Sequence, residues 1–163
     1  MIKYTPKTDR TPVIAFVGFL LSSSLIFIGF SFFTGKVSSV IMKVLGVLLL
    51  FLATVIVSRF LSFTYIYALT ETDFVITKCN NKTENAVCRL NYQALYEICE
   101  YSKAEQRIKE EGLHVTNYCS NLFPKHVYCL FYDMGNENGV IAFEPGDYFA
   151  LEIQKRIKLD IEL

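Results

Sequence analysis

The period of hydrophobic and polar positions changes near residue 60 of this chain. Before it, two long stretches run almost without polar interruption. Residues 13–33 (VIAFVGFLLSSSLIFIGFSFF) hold no charge, and residues 40–58 (VIMKVLGVLLLFLATVIVS) hold only Lys43. At about 1.5 Å per residue the first stretch reaches roughly 31 Å, enough for a hydrocarbon core of about 30 Å. A secretory signal would have a shorter apolar region, about 7–15 residues, followed by small residues. This run is longer and ends in Phe32-Phe33, so it is predicted to stay in the membrane. The connection at 34–39 is short, which makes the two helices an antiparallel hairpin.

After residue 60 the alternation shortens. In FTYIYALTETDFVITKC, Tyr65, Tyr67 and Leu69 fall on one side of an extended chain and Thr64, Ile66, Ala68 and Thr70 on the other. That is a strand period. The turn Glu71-Thr72-Asp73 leads to a second strand. The same reading predicts seven strands, at 64–69, 73–79, 85–90, 96–101, 114–119, 127–133 and 139–143. Turn residues separate several of them: NNKTEN, and MGNENG with its Asn138-Gly139 dipeptide. Segment 103–112 (KAEQRIKEEG) reads as a solvated short helix or loop. Pro145 and Gly146 end the last strand, and Asp147 is placed to cap a closing helix. Phe149, Ile153 and Ile157 recur every four residues on one face of it, with Glu152, Lys155 and Arg156 elsewhere on its surface. The expected organisation is an N-terminal tail at 1–12, membrane helices at 13–33 and 40–59, an external loop at 34–39 and a soluble domain at 60–163.

Charge then orients this plan. Lys3, Lys7, Arg10, Lys36, Lys43 and Arg59 stand against Asp9 in the first 59 residues, a balance of +5, and the rest of the chain carries −5. Lys3, Lys7, Arg10 and Arg59 flank the helices on the terminal side, against Lys36 and Lys43 on the loop side. The positive-inside bias predicts both termini in the cytoplasm of a two-pass cell-membrane protein. Lys43 lies near a helix end, where its stem can carry the ammonium to the headgroups; an ion or proton role is the competing reading. An acidic soluble part argues against nucleic acid as a partner and against a docking face for anionic lipid.

Small residues suggest how the hairpin packs. Gly18, Ser22 and Gly29 lie along one stripe of the first helix, and Gly46 and Ala53 are seven apart in the second. A loop centred between Val37 and Ser38 would set Gly29 against Gly46 and Ser22 against Ala53, the close contact that helices in lipid favour. Small residues are also common in membrane helices generally. The hydroxyls of Ser22-Ser23-Ser24 could line a pathway or bond back to their own helix.

Candidate chemistry changes the picture little. Five cysteines, at 79, 88, 99, 119 and 129, are odd in number and lack C-x-x-C spacing, which fits free thiols in a reducing compartment. In a cytoplasmic domain the sequon Asn81-Lys82-Thr83 would be unused. His114 and His126 beside Cys119 and Cys129 invite a Cys–His or thiolate-metal reading, but neither spacing is a usual one, and a strand cysteine is commonly a small buried hydrophobe. There is no Gly-rich phosphate loop, H-E-x-x-H or G-x-S-x-G. No catalytic residue, metal or cofactor is assigned.

Seven strands and a closing amphipathic helix resemble a pleckstrin-homology (PH)-like domain, a β-barrel or sandwich plugged by its C-terminal helix. The whole chain resembles an uncharacterised family of bacterial membrane proteins with a two-helix hairpin ahead of such a domain. The residues carrying the resemblance are YALTETDFVI after the membrane, NLFPKHVYCLFY at 121–132 and FEP at 143–145. The fold class it implies is an α+β membrane protein. Lipid-binding PH domains hold phosphoinositides with basic residues on the first hairpin. Here Glu71 and Asp73 occupy that turn and would repel phosphate, so phosphoinositide binding is not expected. The expected partners are the lipid bilayer and a protein or peptide. Three functions fit: a membrane-anchored, non-catalytic binding or scaffolding module, an accessory subunit working through its hairpin, or, least favoured, a thiol-dependent enzyme.

Overall fold

A computed structural model describes residues 1–80, 83–135 and 137–161, which leaves Asn81 and Lys82 of the sequon outside the described residues. The chain forms two compact units, one of Asp9–Phe63 and the other of Met1–Thr8 with Thr64–Leu163.

The helical unit begins with α1 (Thr11–Phe30) and continues with α2 (Lys36–Phe60). Pro12 sits in the first turn of α1, where a missing N–H costs nothing, and Asp9 Oδ1 accepts from Thr11 N at 3.0 Å. Both helices are long and apolar enough to cross a membrane. The turn between them takes residues 31–35, so Phe32 and Phe33 lie beyond α1 and α2 starts ahead of residue 40. Buried and half-buried positions run through Val13, Val17, Leu20, Ser24, Phe27 and Ser31, and through Ser39, Met42, Gly46, Leu49, Ala53, Ile56 and Phe60. Steps of four and three alternate along both, the seam of a left-handed helix pair.

The second unit is α+β. One antiparallel sheet has the order β1-β2-β3-β4, from β1 (Ile2–Tyr4), β2 (Thr64–Leu69), β3 (Asp73–Asn80) and β4 (Thr83–Asn91). A 3₁₀ turn, Tyr92–Ala94, leads to β5 (Leu95–Glu100), α3 (Tyr101–Glu111), β6 (Val115–Asn117), β7 (Tyr128–Asp133), β8 (Asn138–Phe143) and α4 (Asp147–Ile161). The second sheet has the order β5-β7-β8-β6, with β6 parallel to β8.

The described residues thus form eight strands in two four-stranded sheets, with no closed barrel, where seven strands in a barrel or sandwich were expected. The additional strand is β1, which pairs Ile2 with Leu69 and Tyr4 with Tyr67. Its partner lies some 65 positions away, so local alternation does not reveal it. The 133–138 connection also differs. Asn138 and Gly139 are paired within β8, opposite Asp133 and Tyr132, and the turn instead uses Gly135 at φ +80°.

Tyr67, Phe74, Ile76, Leu130, Ile141, Phe143, Phe149 and Ile153 form one core joining both sheets to α4. A smaller cluster sets Ala104 and Ile108 of α3 against Cys129, Phe131 and Val140. Segment 103–112 is therefore not a wholly solvated run; its Ala104–Ile108 stripe packs on the second sheet. Helical cover on both faces explains why Cys129, Leu130, Phe131 and Tyr132 are all buried, without strand alternation.

Candidate functional site

Two of the quoted motifs meet at Glu144, which follows β8. Its Oε2 accepts from the backbone N–H groups of Ser120 (2.9 Å) and Asn121 (3.0 Å), and its Oε1 accepts from Asn121 Nδ2 at 2.9 Å. The FEP glutamate thus clamps the start of the NLFPKH loop. Ser120 Oγ in turn accepts from Tyr65 N at 3.1 Å, and Asn121 Nδ2 donates to Lys7 O at 3.3 Å. Tyr67 completes the cluster, donating its hydroxyl to Tyr118 O at 2.9 Å and accepting from Glu144 N at 3.3 Å. Burial pushes the Tyr67 phenol far above its ordinary value. This arrangement is a structural clamp: these hydrogen bonds tie the loop, β2 and the end of β8 together.

A second fixed contact secures α4. Arg156 Nη1 donates to Thr70 O and to Tyr92 Oη, and the guanidinium lies over the Tyr92 ring, 5.5 Å from its centroid. Arg156 is accordingly half-buried rather than on the outer surface of the helix, since its stem reaches across to the β2–β3 turn. In that turn Asp73 pairs with Arg89, at 2.5 Å to Nη2 and 2.9 Å to Nε, and the Arg89 hydrogen bond holds the Asp73 carboxyl below the usual range.

An open groove of about 380 Å³ is lined by Ile98, Cys99 and Glu100 of β5, Lys103 of α3, Tyr128 of β7, and Asp147, Ala150, Leu151 and Gln154 of α4. β5 is an edge strand, paired with β7 on one side and with no other strand among the described residues. Ile98, Ala150 and Leu151 supply the apolar part of the lining. Glu100 and Asp147, against the single Lys103, make its rim net acidic. Tyr128 Oη lies 3.4 Å from Asp147 Oδ1. Nothing in the sequence pointed to this groove, because four elements build it.

The five cysteines form no disulfide with one another, and Cys99 stands directly opposite Cys129 across β5 and β7. Burial pushes the Cys129 thiol up to about 12 and raises Cys99 as well, so both are held as poor nucleophiles. His114 and His126 are exposed while Cys119 and Cys129 are buried. Among the described residues, no three His, Cys, Asp or Glu side chains are grouped to hold a metal.

The small residues of the hairpin divide into two sets. Gly46 and Ala53 are buried, and Gly46 O accepts from Ser24 Oγ at 2.8 Å. A Cβ at Gly46 would sit 2.7 Å from Ile28 Cγ1 and 3.2 Å from Ser24 O. Gly46 is therefore set against Ser24 and Ile28 rather than Gly29, because the turn is centred earlier than Val37 and Ser38. Gly18, Ser22 and Gly29 are exposed. Ser22 bonds back to Gly18 O at 2.8 Å, and a Cβ at Gly18 or Gly29 would meet nothing within 4 Å. Lys43 extends toward the loop end, its Nζ 5.6 Å from the Phe32 ring centroid.

Compared with protein-family models, curated proteins and solved structures, the chain matches none.

Proposed function

We propose that this chain is a membrane-anchored, non-catalytic binding or scaffolding protein. In this reading α1 and α2 cross the bilayer as an antiparallel hairpin, and both termini lie in the cytoplasm. The seven strands after the hairpin, with α4, are a PH-like fold to which β1 is added. The pairing of β1 with β2 supports a hairpin, because the segments before α1 and after α2 must then share one side of the membrane.

The observation that carries the binding role is the groove beside the unpaired edge of β5. An extended segment of a protein partner can add a strand there, so that main-chain hydrogen bonds supply affinity and alternate side chains supply specificity. The lining favours an apolar residue over Ile98, Ala150 and Leu151, and a basic residue near Glu100 and Asp147. A photocrosslinking amino acid placed at Leu151 in the full chain, in native membranes, tests this. The expected result is adducts that map to one extended partner segment and are absent from a probe at Val87 on β4.

A second reading makes the hairpin the working part, as an accessory subunit of a larger membrane complex. Exposure of the Gly18, Ser22 and Gly29 stripe favours it, since small residues on an outer helix face allow close approach by another helix. Adducts from a probe at Ile26, with none from Leu151, would select it.

A further inference from the structure

The NLFPKH loop is bonded to both segments of the α+β unit that run on into the helical one. Asn121 Nδ2 is bonded to Lys7 O, four positions before α1 begins at Thr11. Ser120 Oγ is bonded to Tyr65 N, five positions after α2 ends at Phe60. At no more than about 3.5 Å per residue, these connections reach at most roughly 14 and 18 Å, so the loop cannot travel far from the helix ends. Glu144 holds its base through three hydrogen bonds, and Pro124 restricts its backbone. On this restrained loop Phe123 is 63% exposed, and Lys125 and His126 are exposed beside it. In sequence, Lys3, Lys7 and Arg10 precede α1 and Arg59 lies at the end of α2, against Asp9, so the connecting segments are basic although residues 60–163 carry −5.

We infer that the 121–126 loop is a membrane-interface contact. Phe123 enters the headgroup region of the bilayer that the hairpin spans, and Lys125 meets lipid phosphate. An apolar ring beside a cation is the composition that lodges at the acyl–headgroup boundary, and anionic lipid on the cytoplasmic leaflet favours the basic surround. The loop would then steady the soluble unit on the membrane as a third attachment beside the two chain connections. This rests on the membrane reading of α1 and α2.

The chain contains no tryptophan, so a single introduced indole reports one position without background. The full chain is reconstituted in phosphatidylcholine–phosphatidylglycerol vesicles with or without acyl chains brominated near the headgroup. Phe123→Trp is compared with Tyr148→Trp on α4, where the side chain is 71% exposed, and with Phe19→Trp inside α1. The expected result is a blue-shifted emission at position 123 and about a two-fold drop with brominated lipid. Position 148 should show neither, and position 19 should be quenched. Position 123 behaving like 148 while 19 is quenched would overturn the inference and leave the hairpin reading standing. An unquenched position 19 would overturn the hairpin reading and the inference with it.

Discussion

Glu144 holds Asn121 with both carboxylate oxygens, one on the backbone N–H at 3.0 Å and the other on the side-chain amide at 2.9 Å. The same carboxylate also takes the N–H of buried Ser120. Glu144→Ala strands two backbone N–H groups, and each unsatisfied buried donor costs about 1–3 kcal/mol. Denaturation of the full chain in detergent should register a loss of at least about 2 kcal/mol. Glu144→Gln, which keeps one acceptor oxygen, should lose less.

The closing helix gives a sharper contrast. Ile153 is fully buried in the main core, whereas the Lys155 side chain is 70% exposed. Ile153→Asp places a charge in an apolar site and should cost several kcal/mol, enough to unfold a unit with about 5–15 kcal/mol of stability. Lys155→Asp should shift stability by no more than about 0.5 kcal/mol. Equal and small effects in thermal melts would mean that α4 does not pack on the sheets.

In the hairpin, side-chain size at one glycine should matter and at another should not. Gly46→Leu drives a side chain into Ile28 and the Ser24 carbonyl, and overpacking of this kind costs about 1–3 kcal/mol. Gly29→Leu adds its side chain into open space and should leave the helix pair intact. Disulfide crosslinking between cysteines introduced at Leu20 and Leu49, on the buried seam, distinguishes the two: the yield should fall only for Gly46→Leu.

Acid should weaken the β2–β3 turn. The Arg89 hydrogen bond depresses the folded-state pKa of Asp73. Its contribution is therefore fully present above the unfolded carboxyl value of about 4 and is lost as pH falls through the lower, folded value. Below about pH 4, Arg89→Ala should lose less additional stability than the parent chain as the pH drops further. Parallel acid titrations with identical slopes would show that the pair does not contribute.

How much of this was legible varied with the range of the contact. β2 and the start of α4 are found where local alternation and the Pro145-Gly146-Asp147 break set them, because their periods lie within one segment. Phe149, Ile153 and Ile157 are buried together because four-residue spacing specifies a helix face. β1 is three residues long and owes its existence to β2, which no local window contains. The Ala104–Ile108 spacing was visible within KAEQRIKEEG, but the surrounding charges outweighed it. Arg156 was read by its charge, although its long apolar stem allowed it to reach Thr70. The groove along β5 arises from four elements brought together by folding, and its residues carry no motif.

The central claim is a hairpin in the membrane with the α+β unit on its cytoplasmic side. The most direct test is labelling of Ser38→Cys and Lys158→Cys variants in intact cells with a membrane-impermeant maleimide, against the parent chain. Burial pushes the native thiols Cys88 and Cys129 up to about 11 and about 12, so they contribute little background at neutral pH. Position 38 should label in intact cells, and position 158 only after lysis. Labelling at 158 in intact cells, with 38 protected, would contradict the account.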